Sequence, residues 1–424
     1  MLRTPTVATA ATATVGIDRD RPVVAPSDRK GPGQTHATRR QFLKGAGIGS
    51  AAVGLGGLGT LSWRASSQGV FEAGQGSAYA AWGDWDRGRG PLALVRAAVL
   101  SANPHNSQPW RFHLSPSTID FYADPTRNIG ATDPYRREQQ VGLGCALENL
   151  LIAGQARGYA PRFSLLPDPG NPNLVAQIEL SGGAATNVRL YRTIPRRHTH
   201  RAPFDTSRTL SQQTLAALDQ AVADIPGAGI VWITGDSPKR QVGQLIVEGT
   251  QAILADRQQS VDSFKWWRND WSDIQRFKDG MTLDAAGLSP LLTTLAKILP
   301  AETREQNDQA WIQQTRDTSV RTAAAFGFVV VHDASDSAQR VSGGRLYQRL
   351  HLTAVDRGLA MQPLNTLTER IDREKSTGAA PRFADAVTGL LAQPGWQPLM
   401  SFRIGYPTVQ PGSSPRRPAE AVLA

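Results

Sequence analysis

The residues of this sequence best suited to chemistry lie at 194–204, which reads Ile-Pro-Arg-Arg-His-Thr-His-Arg-Ala-Pro-Phe. Its centre, 196–201, supplies three guanidiniums, two imidazoles and a hydroxyl with no apolar residue between them. Such a run is expected to form neither a buried strand nor one face of an amphipathic helix. Arginine holds a phosphate through paired hydrogen bonds, and a hydroxyl with free backbone N–H groups completes such a cradle. Pro195 and Pro203 bracket the run and predict an extended approach and a turn at its exit. Composition alone leaves two readings open, a solvated basic loop and a phosphate site.

A second polar stretch is uncharged. Residues 101–110 read Ser-Ala-Asn-Pro-His-Asn-Ser-Gln-Pro-Trp. Its amides, hydroxyls and imidazole suit an uncharged heterocycle or a sugar-like chain better than a phosphate. The same residue types are also ordinary turn formers. No His, Asp and Glu group stands at metal-ligand spacing, and His332 and His351 read as strand-end and helix residues. The single cysteine, Cys145, excludes an intrachain disulfide and a multi-cysteine metal site, and reads as a small buried hydrophobe.

The elements that must position these residues follow from periodicity. Apolar residues at 92, 94, 95, 98 and 99 predict a helix that Pro91 opens and the polar stretch ends. Residues 111–115 and 117–122 read as a hairpin. Residues 133–158 predict a long helix with Asp133 and Pro134 at its start and Gly158 at its end. Its apolar surface is so broad that it should be central and buried. Strands are expected at 162–166 and 174–180, a helix at 211–222, a strand at 229–234 and a helix at 239–257. Residues 260–299 place Trp266, Trp267 and Trp271 among charges, with Gly280 and Gly287 breaking weak periodicity. That stretch reads equally as a lid over a site or as a helical excursion anchored by its tryptophans. A strand at 323–331, a helix from Ser342-Gly343-Gly344 to Arg357, and a strand at 399–404 complete the body. Arg416 and Arg417 form a second small basic cluster near the end.

The chain has 424 residues, 40% hydrophobic and 19% charged, enough for two domains or one large intertwined body. The first 80 residues carry nine basic and four acidic side chains, which is half of the net charge of +10. Aromatic and basic residues do not interleave in any repeated way, so no nucleic-acid partner is expected. Residues 1–37 have no apolar period and read as disordered. Residues 38–44, Thr-Arg-Arg-Gln-Phe-Leu-Lys, precede a glycine- and alanine-rich apolar run at 45–61. This resembles a twin-arginine signal, so 38–80 is read as signal and linker, recognised by the twin-arginine translocation machinery. The implied location is periplasmic or extracellular, with a membrane tether if the signal stays uncleaved. Ala78-Tyr79-Ala80 fits a small-x-small cleavage site. That route carries folded proteins, often with a cofactor inside.

Taken in order, the pieces from roughly 90 to 420 resemble the nitroreductase superfamily of flavin mononucleotide (FMN) enzymes, more narrowly its Acg-type branch. Four segments carry the resemblance: Asn106-Ser107-Gln108-Pro109-Trp110, Arg197-His198-Thr199-His200-Arg201, the helix and Gly-Leu turn of 344–364, and 403–407 followed by 415–418. The resemblance implies an α+β fold in which two nitroreductase-like halves of one chain, 81–185 and 186–424, form a pseudo-dimer with central antiparallel-type sheets surrounded by helices. A lid-like insertion would occupy about 260–299. One FMN would be shared by both halves. Arg197, His198, Thr199 and Arg201, with Arg416 or Arg417, would hold its phosphate. Asn103, His105, Asn106 and Gln108 would approach from the first half, and Pro363, Asn365 and Thr366 would face the ring. Two departures stand out. The family branch reads Ala-Pro-Ser before Gly-His-Asn where this chain has Ser101-Ala102-Asn103-Pro104-His105-Asn106, and the first half lacks a phosphate motif, which argues against a second flavin. The implied activity is electron transfer from NAD(P)H through FMN to a small flat acceptor such as a nitroaromatic or quinone, by a monomer or homodimer. A rival expectation is a protein that holds FMN under a closed lid without turnover.

Overall fold

Eight strands form two antiparallel sheets of four, both wound in the same order. The computed structural model describes residues 63–424, so the twin-arginine stretch and the region before it lie outside the described residues. The first sheet runs β1-β2-β4-β3, from β1 (Trp110–Leu114), β2 (Thr118–Ala123), β3 (Tyr159–Leu165) and β4 (Leu174–Gly182). The second runs β5-β6-β8-β7, from β5 (Ala228–Ile233), β6 (Ala325–Val331), β7 (Ala360–Pro363) and β8 (Gln397–Gly405). In each sheet a helix of 20 residues joins the second strand to the third: α2 (Arg137–Ala156) and α3 (Ser337–Asp356). Helix α1 (Pro91–Ala98) packs on α2, with Pro91 at its first position as expected. The repeated strand–strand–helix–strand–strand order accounts for the two halves.

β6 is buried at all seven positions, because it is covered on both faces. Ala325, Val329 and Val331 join the cluster under α3 with Tyr347 and Leu350. Phe326, Phe328 and Val330 point the other way, onto Val242, Ile246, Phe383 and Val387. A strand covered on both faces loses the in–out alternation, which is why it reads as a plain apolar run.

The halves meet where α2 crosses α3, and the contact is reciprocal. A Cβ on Gly144 would lie 2.1 Å from the Val341 carbonyl oxygen, and a Cβ on Gly344 would lie 2.1 Å from that of Val141. Gly144 and Gly344 are each the eighth residue of their helix, and Val141 and Val341 each the fifth. Such an exchange of equivalent contacts is the mark of a two-fold relation, here folded into one chain. It corrects one expectation: Gly343 and Gly344 do not open a helix but sit inside α3, which starts at Ser337 behind an Asp336 cap. Packing needs the glycines there, and packing overrides their poor propensity.

The start of α2 also differs. Arg136 is left-handed (φ 56°), so the helix begins at Arg137 rather than Asp133. Asp133 still caps it from outside, its carboxylate accepting from the N–H groups of Glu138 (3.1 Å) and Gln139 (2.9 Å). Gly158 (φ 81°) lies just beyond its end as expected.

Between β5 and β6 the chain makes a helical insertion. Residues 260–299 are more regular than their sequence suggests, with helices at Arg257–Phe264, Trp271–Phe277 and Pro290–Ile298, followed by Arg304–Gln314. A leg formed by residues 63–80 is tied to this insertion. Arg64 Nε donates to the Ile298 carbonyl (2.6 Å), Lys297 Nζ to that of Gly69 (3.1 Å), and Tyr79 stacks on Trp271. Ala78 and Tyr79 of the small-x-small motif are therefore buried.

Candidate functional site

A cavity of about 320 Å³ lies against the crossing of the two halves. Helix α2 contributes Glu138, Val141, Gly142 and Cys145, one face at helical spacing. The loop before β1 contributes Asn103, Pro104 and His105; the extended arginine run contributes Thr199 and Arg201. Residues 362–366, where β7 passes into α4 (Thr366–Thr377), form another wall with Glu369. Trp267, Met281, Trp311 and Gln314 of the insertion complete it.

Of the thirteen expected site residues, Asn103, His105, Thr199, Arg201, Pro363, Asn365 and Thr366 line this cavity. The loop holding the first two is conformationally strained. His105, Asn106 and Gln108 all have positive φ (48°, 54° and 53°), unusual for non-glycine residues and typical of functional loops. Asn103 Oδ1 steadies it by accepting from the Gln108 N–H at 2.8 Å. His105 Nε2 pairs with Ser263 Oγ at 2.8 Å, and burial with the nearby Arg201 charge lowers its pKa to about 4. It is therefore neutral at physiological pH.

Asn106, Gln108, His198, Arg197, Arg416 and Arg417 stand outside the lining. Asn106 and Gln108 tie the C-terminal segment to the loop. Asn106 Nδ2 donates to the carbonyls of Gly280 (3.0 Å) and Pro415 (2.8 Å), and its Oδ1 accepts from Arg416 Nη1. Gln108 Oε1 accepts from the Arg417 N–H at 2.8 Å, and Arg417 spends its guanidinium on the carbonyls of Gln108 and Ala421. His198 lies against Trp82, tilted at 41° with the ring centres 4.5 Å apart.

Arg197 and Arg416 are the informative pair. Both side chains are buried, at 1% and 4% exposure, and neither meets a carboxylate among the described residues. Arg197 Nη2 donates to the Leu100 carbonyl at 2.9 Å, but its Nε and Nη1 have no partner. Nε of Arg416 is likewise unpartnered. Burial first, and then repulsion from Arg197, depresses the Arg416 pKa well below the usual arginine range. The same two charges, after burial, hold His198 down to about 3. Close by, the Tyr347 hydroxyl also lacks a partner among the described residues. Buried donors are nearly always satisfied, so this group calls for an anionic acceptor. The arginine run is thus no solvated loop. The approach is helical rather than extended, because a helix at Val188–Thr193 runs into a 3-10 turn at Ile194–Arg196 that holds Pro195; beyond it Arg197 and His200 are buried, with the His200 N–H donating to the Met361 carbonyl at 3.1 Å.

Sequence reasoning missed several lining residues. Glu138 lies in the polar first turn of α2, where a charged residue is ordinary and gives no signal of a site. Trp267 belonged to a noted cluster, whereas Glu369 and Trp311 carried no local signal. Glu138 and Glu369 are neighbouring buried carboxyls on the cavity wall, and desolvation raises both pKa values, that of Glu369 to about 7.

No family model matches the chain. Among named relatives, "Putative NAD(P)H nitroreductase Rv3131" of Mycobacterium tuberculosis is 28% identical over 132 residues, 28% of this chain. The match spans only 38% of that relative's length. "Putative NAD(P)H nitroreductase acg" of the same organism is 33% identical over 89 residues, covering 21% of this chain and 27% of the relative. "Uncharacterized protein Rv3127", also of Mycobacterium tuberculosis, aligns over 347 residues at 24% identity, covering 78% and 92%. Among solved structures, the FMN and NADPH-dependent nitroreductase NfnB from sphigopyxis sp. strain HMH overlaps 55% of this chain and 97% of its own, at 16% identity and a TM-score of 0.37.

Proposed function

We propose that this chain, a nitroreductase-superfamily protein of the Acg type, binds FMN in the cavity and passes electrons from a nicotinamide donor to a small flat acceptor. The observation that carries the reading is the buried pair of guanidiniums, Arg197 and Arg416, with three N–H-bearing nitrogens unpartnered and no carboxylate in reach among the described residues. A phosphate monoester fits that need, because it offers several acceptor oxygens and up to two negative charges. Thr199 and Arg201 of the cavity lining would meet the phosphate, with Arg197 and Arg416 supplying donors and positive charge from behind that wall. Asn103 and His105 from one half, and residues 363–366 from the other, would flank the ring. FMN supplies the two-electron hydride chemistry, and the protein has to position and tune it.

The chain's own residues have definite tasks in this reading. The Arg201 guanidinium, which reaches no carboxylate among the described residues and donates to the Ala285 carbonyl at 3.1 Å, favours negative charge in the cavity. Neutral His105 offers a hydrogen bond without adding charge. Trp267 and Trp311 supply flat apolar walls against which an aromatic acceptor can stack while water is excluded. The acceptor class, nitroaromatic or quinone, is part of this proposal, as is export through the twin-arginine route.

The test is the absorption spectrum of purified protein before and after adding FMN. Flavin bands should appear in the wild type and vanish in Arg197→Met and in Arg416→Met. NADPH should then bleach them, and a quinone should restore them. A bound flavin that NADPH never bleaches would favour the holding protein, and a chain that ignores FMN would remove the cofactor from the reading.

A further inference from the structure

The cavity carries opposite charges at two places, and the flavin reading uses only the cationic one. At the other, four carboxyl groups gather: Asp133 before α2, Glu138 on α2, and Glu369 and Asp372 on α4. The cations facing them are Arg137 and, from α3, Arg340. Arg137 is committed to Asp372 at 2.7 Å and to the Leu399 carbonyl at 2.7 Å, and comes only within 3.6 Å of Glu138. Arg340 donates to the carbonyls of Ala334 and Tyr135 and to Gln140. Asp133 is satisfied by the α2 N-terminus. Arg370 turns away to Gln259 and Asp256, and Arg201 and His105 lie elsewhere on the cavity wall.

Glu138 and Glu369 are left with each other. Both are nearly fully buried (3% and 5% exposed), both line the cavity, and no N–H or hydroxyl donor reaches Oε1 of Glu138 or Oε2 of Glu369. Two buried carboxyls in mutual contact cannot both ionise, so when Glu369 gives up its proton Glu138 keeps its own. Desolvation brings Glu369 to about 7, where a carboxyl can both give and recover a proton.

We propose that Glu138 and Glu369 form the proton-donating end of the cavity, with Glu369 protonating the acceptor as it is reduced. The proposal rests on the flavin reading above. For a quinone acceptor, a bound and reduced flavin would supply both electrons and one hydrogen. The Glu369 O–H bond breaks, its proton forms the second O–H bond on the acceptor, and the resulting hydroquinone leaves. The carboxylate left behind is held by the Glu138 carboxyl until it regains a proton from solvent. Glu369 is only three residues beyond Thr366, on the wall expected to face the ring, so the donor would stand beside the cofactor.

Two measurements test this, and the first needs no flavin. Infrared spectra of the wild type at neutral pH should show a protonated-carboxyl stretch that shifts in deuterated water and loses intensity in Glu369→Gln, where only Glu138 still contributes to it. Stopped-flow with the FMN-loaded protein should then show NADPH bleaching unchanged in Glu369→Gln, while reoxidation by benzoquinone slows by about 100-fold, the usual range for a lost general acid. Wild-type reoxidation should fall as pH rises through about 7, and this dependence should be absent from the variant. An absent carboxyl stretch overturns the proposal, as do equal slowing of both half-reactions (a structural role) or unchanged reoxidation. If Glu369→Gln does not fold, Glu138→Gln and the wild-type pH profile decide by the same outcomes. A chain that shows the stretch but takes up no FMN sinks the flavin reading and, with it, the assigned reaction, while leaving the protonated carboxyls demonstrated.

Discussion

Placing a methyl group at the crossing of α2 and α3 gives a direct test of the two-halves-in-one architecture. In Gly144→Ala the new Cβ would lie 2.1 Å from the Val341 carbonyl and 2.9 Å from the Arg345 nitrogen, both backbone atoms that no rotamer change can move. Relief requires the helix axes to part by about 1 Å, and a gap of that size forfeits a quarter to a half of the dispersion energy across the contact. Overpacking of this kind costs about 1–3 kcal/mol, and a backbone-on-backbone clash belongs at the top of that range. Alanine's better helix propensity returns about 1 kcal/mol. The net expectation is destabilisation by about 2 kcal/mol, opposite in sign to what propensity alone predicts. Gly344→Ala should do the same against Val141.

The double variant discriminates further. One separation of the helices relieves both clashes, so the second alanine meets a gap already opened and still gains its propensity. The pair should cost less than the sum of the singles, with a coupling of at least about 1 kcal/mol. Urea unfolding followed by far-ultraviolet circular dichroism measures each corner of the cycle. Additive losses, or single variants more stable than the wild type, would refute the reciprocal contact. FMN affinity should fall in step, because Val141, Gly142 and Cys145 of the same helix line the cavity.

Other outcomes follow from the same contacts. Arg197→Met should leave the ligand-free protein as stable or more stable by about 1 kcal/mol, since it removes an uncompensated buried charge, while abolishing FMN binding; thermal melts with and without FMN check both. Acid should unfold the protein through its histidines. His105 and His198 titrate near 6.5 when unfolded but at about 4 and about 3 when folded, so the unfolded chain takes up protons first and stability is lost as pH falls below 6.5. Glu369 works in the opposite direction, from 4.5 unfolded to about 7 folded, so its contribution is full below 4.5 and lost as pH rises toward 7. Urea melts across pH should show both limbs, and Glu369→Gln should flatten only the second. A chain beginning at Ala81 should melt earlier and bind FMN more weakly, because it loses the Tyr79–Trp271 stack, the Gly69 carbonyl that Lys297 bonds, and the Ala78 carbonyl that accepts from the Arg416 N–H at 2.7 Å.

What the sequence disclosed was local, and what it withheld was long-range. β6, α2 and the Gly158 stop announce themselves through apolar runs and backbone freedom, properties of neighbouring residues. The arginine run showed its chemistry but not its burial, because the surfaces that enclose it come from elsewhere, such as the Leu100 carbonyl and the strand at Met361. Gly343 and Gly344 looked like helix openers by propensity, and only the reciprocal crossing explains them as interior residues. The Glu138–Glu369 pair joins residues of two different helices, with no periodicity to link them. Asn106 and Gln108 were correctly seen as a hydrogen-bonding set, yet their partners turned out to be Gly280, Pro415 and Arg417.

The two-fold relation also predicts how many cofactors the chain can hold. A symmetric dimer has two equivalent sites, so the question is what has become of the second. Matching α2 to α3 residue by residue pairs the cavity-lining Glu138, Val141, Gly142 and Cys145 with Ala338, Val341, Ser342 and Arg345. Where Cys145 leaves space, Arg345 fills it. Its guanidinium lies over Phe163 at 4.6 Å and pairs with fully buried Glu148 at 3.0 Å, and Arg349 binds the same carboxylate at 2.6 Å. The loop before β5, Ala-Val-Ala-Asp-Ile-Pro-Gly at 221–227, has none of the amides of 103–108, and its Asp224 is drawn to Arg349. The second position has therefore lost its space, its polar loop and its phosphate cradle together, and restoring one would not restore the others. Titration should give one flavin per chain in the wild type and still one in Arg345→Cys, even though that variant empties the pocket. Two flavins in either protein would mean that the cradle around Arg197 and Arg416 is not what selects the cofactor.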